Sequence, residues 1–285
     1  MMMNPIYERE QRRTARNSRY SLLLLILNTV LVTAALLSMA VALREAGNTG
    51  ELQYAVFLKF FRALAWMEFA VLAVLMPART AGSISGERER GTLDLLRSTQ
   101  MKSMDLVLGN LFSELSSMMV LLVSAAPVFA AVLLYGGVQL TGLLFLFLSC
   151  VALTLLVGSA GMFFSSRAAL SSTAAAETYA LLVLILFAPY GLDFLLRGLG
   201  GAALSKWVLF LSPLTVYSAV LSVISGGALF PAALYTDIAV SAQLIAVCGI
   251  AMELLLSLLL LVLAEKALSC EGERQEQFSS FFGRR

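Results

Sequence analysis

Six long apolar runs constrain this chain more than anything else in it. They cover residues 20–43, 55–76, 106–134, 140–164, 176–196 and 240–264, and roughly 20 residues of helix cross a bilayer's hydrocarbon core. In hydrocarbon each backbone donor and acceptor must be satisfied within its own segment, so runs of this kind are helices. The chain therefore reads as an all-α membrane protein, a single transmembrane domain over 1–285 with six spans. Only 13% of its 285 residues are charged while 59% are hydrophobic, so lipid rather than a water-excluding core solvates the apolar surplus. The first run is too long, and too far from any small-residue cleavage site, for a removable leader. The third exceeds one crossing, so its first two turns, about Leu106 to Ser113, are expected to extend beyond the membrane as helix.

Orientation follows from lysine and arginine, which gather on the cytoplasmic side. Fifteen of the 20 fall in segments that six spans place together: Arg9, Arg12, Arg13, Arg16 and Arg19 before the first span; Arg79, Arg88, Arg90, Arg97 and Lys102 between the second and third; Arg167 after the fourth; and Lys266, Arg274, Arg284 and Arg285 at the end. Arg44, Arg197 and Lys206 fall opposite. Both termini are expected in the cytoplasm. The stretch 207–224 is apolar but broken at Ser212-Pro213. A full crossing there would expel the basic C-terminal tail, so it reads as an outer segment that dips into the membrane. Residues 4–19, with Asn4-Pro5 at a plausible helix start, read either as a helix lying along the inner headgroups or as a topology signal alone.

Several chemistries are excluded. The chain has no histidine, which removes the commonest general base and zinc ligand. Cys150, Cys248 and Cys270 form no paired motif and read as ordinary helix packing. None of the lysines follows a glycine, so no Gly-Lys-Ser/Thr loop exists to cradle nucleotide phosphates. No metal or cofactor site is expected on this chain.

The most specific stretch lies between the second and third runs. Gly86 and Gly91 bracket Glu87-Arg88-Glu89-Arg90, and Thr92 and Asp94 carry the marks of a helix start. Leu93 and Leu96 then share one face of a short helix, and Ser103 and Asp105 repeat the start signal before the third span. A soluble partner can grip such a face, the leucines filling a groove and the charges setting orientation; a solvated loop with incidental ion pairs accounts for the same residues.

The run Ser83-Ile-Ser-Gly-Glu-Arg-Glu-Arg-Gly-Thr-Leu-Asp-Leu-Leu-Arg-Ser-Thr99, set between two spans, resembles the signature of ABC-2 type transporter permeases. The opening Asn4-Pro-Ile-Tyr-Glu-Arg-Glu10 is similar to the start of the same family. Arg97 stands where the family usually has an apolar residue, and Gln100 where it commonly has proline. The resemblance implies a permease subunit of an ATP-driven transporter, an exporter in a bacterial plasma (inner) membrane. It implies pairing with a second permease copy or a homologous permease, with two cytoplasmic ATPase subunits holding ATP and Mg. It places the ATPase-docking (coupling) helix at Gly86, Glu87, Arg88, Glu89, Arg90, Gly91, Thr92, Leu93, Asp94 and Leu96, with the N-terminal interfacial helix beside it. Beyond these and the lipid bilayer no partner, and no nucleic acid, is expected.

Glu68 and Glu253 stand well inside their apolar runs, where a carboxylate costs a few kcal/mol. They read as pathway or gating groups, or as carboxyls held between helices for packing. Lys59 and Arg62, one turn apart, either snorkel outward or guard an outer exit. Glu114, Glu177 and Asp193 read as interfacial. Two other functions compete: a gradient-driven secondary transporter or channel, whose expected inverted repeat is not evident, and, more remotely, an intramembrane enzyme, for which no nucleophile or aspartyl motif is present.

Overall fold

A computed structural model describes residues 7, 18–49, 54–92, 103–136, 140–199, 208–225 and 242–282. Among them there are helices and turns and no strand. In chain order the helices are α1 (Ser18–Thr49), α2 (Tyr54–Thr80), the short α3 (Ser85–Glu89), α4 (Ser103–Gly136), α5 (Leu140–Arg167), α6 (Ser171–Gly198), α7 (Pro213–Ser225) and α8 (Ala242–Phe282). A 3-10 turn at Leu209–Leu211 precedes α7. Six of these helices (α1, α2, α4, α5, α6 and α8) are long and apolar enough to cross a membrane.

The helices outrun the expected spans in ways the local chemistry explains. α2 continues through Pro77 to Thr80 instead of stopping at residue 76, and the Pro77 carbonyl still accepts the Ala81 N–H at 3.0 Å. Proline forbids only the bond its own nitrogen would donate. α4 begins at Ser103, where the sequence places its start signal. α8 runs on to Phe282, past residue 264, through a stretch with four glutamates and two glutamines, which favour helix without needing lipid.

α5 is the hub. It packs against α2, α4, α6, α7 and most extensively α8. Its small residues permit this, because helices in lipid associate through close backbone approach. Gly158 sits under Met76 and Leu111, and Gly161 under Thr80. α1 lies at the periphery against α2 and α4, with Asn28 Nδ2 donating to Ser124 Oγ at 3.0 Å and Leu22, Leu25, Leu36 and Leu37 exposed on its far side.

The segment around α7 enters and leaves the bundle at one end. Ser212 Oγ donates to the Leu186 carbonyl at 2.9 Å, and Tyr190 and Thr215 hydroxyls lie 2.8 Å apart, so the break before Pro213 sits partway down α6. Tyr217 Oη donates to the Ala65 carbonyl of α2 at 2.6 Å, and its ring packs on Trp66 and Phe69 with centroids 5.2 and 4.7 Å away. Ile224 then meets Gly142, in the first turn of α5.

The two glycines of α5 make a stability prediction. A methyl added at Gly161 would overlap the Thr80 hydroxyl and lie 2.8 Å from its Cβ and 3.3 Å from the Ala81 nitrogen; Thr80 is pinned by its bond to the Met76 carbonyl. At Gly158 the obstacle is the flexible end of Met76 and a Leu111 methyl. Gly161→Ala is expected to cost about 1–3 kcal/mol, as overpacking does, and Gly158→Ala less, because methionine adapts. Thermal unfolding of both variants in detergent measures the order; the reverse order contradicts this packing.

Candidate functional site

The loop that closes α2 is built by backbone hydrogen bonds. After Thr80 the chain turns through residues 81–84 into α3, held by Gly86 N–H to Gly82 O at 3.1 Å and Arg88 N–H to Ile84 O at 3.0 Å. Gly91 ends α3 in the left-handed region, at φ +68°. Its N–H donates to Arg88 O, and the Thr92 N–H to Glu87 O, both at 3.0 Å. That pair of bonds is the Schellman stop, and glycine holds it without strain. The Thr92 hydroxyl donates back to Glu87, to its carbonyl at 3.1 Å and to its carboxylate. Thr92 thus closes the helix before it; the helix it is expected to open lies outside the described residues. Leu93, Asp94 and Leu96 lie outside the described residues.

This loop is fastened to the connection between α5 and α6. Ser165 Oγ accepts the Ile84 and Ser85 N–H groups, each at 3.0 Å. Ser83 Oγ donates to Met162 Sδ at 3.1 Å. The Arg88 guanidinium reaches the last carbonyls of α5, donating to Ser166 O at 2.9 Å and to Ala168 O. The Glu89 carboxylate accepts the Ser171 N–H at 2.6 Å and its hydroxyl at 3.0 Å, at the first turn of α6. Arg90 and Gly91 are exposed at the tip, and Gly86 and Glu87 are half-buried.

A second polar node ties the same end of the bundle. Arg79, in the last turn of α2, pairs with Glu114 of α4 and donates to Ser117 Oγ at 3.3 Å. Its guanidinium lies 5.1 Å from the centre of the Tyr20 ring, and the Tyr20 hydroxyl donates to the Ser117 carbonyl. Tyr7 lies beside α4, its hydroxyl 3.5 Å from Ser116 Oγ. α1, α2 and α4 are thus cross-linked where the loop begins. The family model described as ABC-2 family transporter protein matches residues 4–278. The chain belongs to the ABC-2 transporter family. A search of curated proteins finds no match. The family consists of transport membrane subunits that are not themselves the ATPase.

Deeper in the ABC-2 protein, four elements bring polar groups together. Glu68 of α2 is 1% exposed and Glu253 of α8 4% exposed. Among the described residues no donor reaches either oxygen of Glu68 or Oε2 of Glu253. Cys150 of α5 is buried as well, and the Tyr217 hydroxyl of α7 donates to the Ala65 carbonyl, one turn before Glu68. Lys59 is exposed and Arg62 half-buried, nearer the start of α2. Asp193, expected at an interface, is fully buried in α6; the flanking Leu192, Phe194 and Leu195 are exposed, so the carboxyl takes the inner face of an outward-facing turn. Cysteine and tyrosine in apolar runs carry no sequence signal of this cluster, because both types are common in helix cores. Among the described residues no group of histidine, cysteine and carboxylates is arranged to hold a metal.

At the end opposite the loop, a cavity of about 490 Å³ opens between the first turn of α5, α7 and the start of α8, lined by Gly142, Phe145, Val220, Ile224, Gln243 and Val247.

Buried acceptors without donors destabilise a fold, and replacing them with apolar groups of similar size removes that cost. Glu68→Leu and Glu253→Leu are therefore expected to leave the thermal unfolding temperature unchanged or raised. A fall of several degrees in either variant would show that the carboxyl is bonded in the folded protein.

Proposed function

We propose that this chain is the permease subunit of an ATP-driven exporter in a bacterial plasma membrane, with both termini in the cytoplasm. The family match over 4–278 carries the reading. The charge asymmetry supports the orientation, with fifteen basic residues on the side of the loop and three on the other. Two permeases, alike or homologous, form the pathway, and two ATPase subunits dock beneath them and hold ATP and Mg. The whole chain acts as one transmembrane domain.

Docking is assigned to Gly86–Leu96. The Schellman stop at Gly91 leaves Arg90 and Gly91 exposed at the tip, and Leu93 and Leu96 are assigned as the apolar anchors. ATP binding draws the ATPase pair together, and the loop carries that displacement into the helices. Glu68 and Glu253 are assigned to the pathway or its gate, since an intramembrane carboxyl with an oxygen that no described donor reaches is retained for what it contacts during transport. Lys59 and Arg62 stand toward the outer exit.

The reading is tested by co-purification with the ATPase. Placing a carboxylate in an apolar groove costs at least the lost burial of a leucine, about 1.5–3 kcal/mol, so Leu93→Asp and Leu96→Asp are each expected to weaken assembly about tenfold or more and to abolish stimulated ATP hydrolysis. Unchanged assembly and stimulation in both variants would remove the docking assignment.

A further inference from the structure

We infer that Arg88 and Glu89 form a two-point clamp that makes the loop 84–92 part of the α5–α6 turn, so that any displacement of the loop is delivered to α5 and α6 as well as to the helices it joins covalently. The inference rests on the docking reading for the source of the force, and on the geometry alone for the clamp.

A helix ends with unpaired carbonyls and begins with unpaired N–H groups, so its C-terminus is electronegative and its N-terminus electropositive. α5 ends at Arg167 and α6 begins at Ser171, which sets two helix ends of opposite polarity side by side. Adjacent residues of α3 match them in order. Arg88 donates to the terminal carbonyls at Ser166 and Ala168. Glu89 accepts the Ser171 N–H, which as the first residue of α6 has no partner within its own helix. The arrangement works in one charge order only, and an Arg-Glu pair read backwards would repel both ends. Ser165 adds an uncharged anchor one turn earlier, through two backbone N–H groups of the loop. From α5 the contact continues through its long interface with α8, and through Gly142 to α7. Both elements line the cavity at the opposite end. Arg88 and Glu89 are thus positioning residues: their charged groups bond the α5–α6 turn, while Glu89 stays open to solvent on its other side.

Hydrogen exchange read by mass spectrometry tests the clamp in the full chain in detergent, first without any partner. Arg88→Met and Glu89→Ala are expected to speed exchange about fivefold or more in peptides covering both 84–92 and 168–174, the loss of one capping interaction. Arg88→Lys, which keeps charge but has a single nitrogen in place of the planar fork that spans the two carbonyls, is expected to fall between. Unchanged exchange at 168–174 in Arg88→Met and Glu89→Ala overturns the clamp. The second arm uses the complex with its ATPase, trapped with ATP and vanadate. In the native chain, trapping is expected to alter exchange at 84–92 and at 165–175 together. In the fraction of each clamp variant that binds the ATPase, the change is expected to be confined to 84–92. A change that persists at 165–175 in the variants overturns the transmission. A native chain that neither binds the ATPase nor responds to trapping sinks the docking reading and leaves the clamp to be judged by the first arm.

Discussion

The close approach of α5 to α2 is the contact on which the rest of the structure depends. Lipid supplies no hydrophobic force between helices, so association requires surfaces that let backbones meet. Gly158 and Gly161 provide that surface against Met76 and Thr80. One turn further on, Ser165 meets the loop that α2 becomes. Were α5 held away by a side chain at Gly161, Ser165 and the carbonyls at the end of α5 would retreat from Ile84, Ser85 and Arg88 together. The packing of the bundle and the fixing of the loop are therefore one problem, solved by the small residues of one helix.

Polar groups divide the bundle into two zones. At the loop end the charges find partners: Arg79 with Glu114, Arg88 with the end of α5, Glu89 with the start of α6. Such charge-assisted bonds are strong where water is scarce, and they cross-link neighbouring helices. Deeper in the bundle, Glu68 and Glu253 are buried with oxygens that no described donor satisfies. A cross-linked end and an interior with unmet carboxyl oxygens suit a device that receives force at one level and changes its contacts at another.

Much of this was legible in the sequence because hydrocarbon enforces it. The six runs become six helices, since no other structure satisfies the backbone in lipid. Ser212-Pro213 marks the break before α7, since proline removes a donor. The start of α4 at Ser103 is read from capping chemistry. What sequence spacing leaves hidden is where side chains meet across helices. Glu87-Arg88-Glu89-Arg90 reads as a solvent-facing patch, yet two of its four charges are turned to a turn some 80 residues away in the chain. Tyr217 looks like a packing residue until α7 places its hydroxyl on the Ala65 carbonyl, one turn before Glu68. The extent of α8 was also hidden, because hydropathy reports where lipid ends and not where helix ends.

The account depends on the loop 84–92 lying on the inner side of the membrane, within reach of a cytoplasmic ATPase. The direct measurement places a single cysteine at Arg90, exposed at the tip, in a chain whose three native cysteines are replaced, and treats it with a membrane-impermeant maleimide. The account predicts labelling in inverted membrane vesicles and none in intact cells. Labelling in intact cells, with none in inverted vesicles, contradicts it.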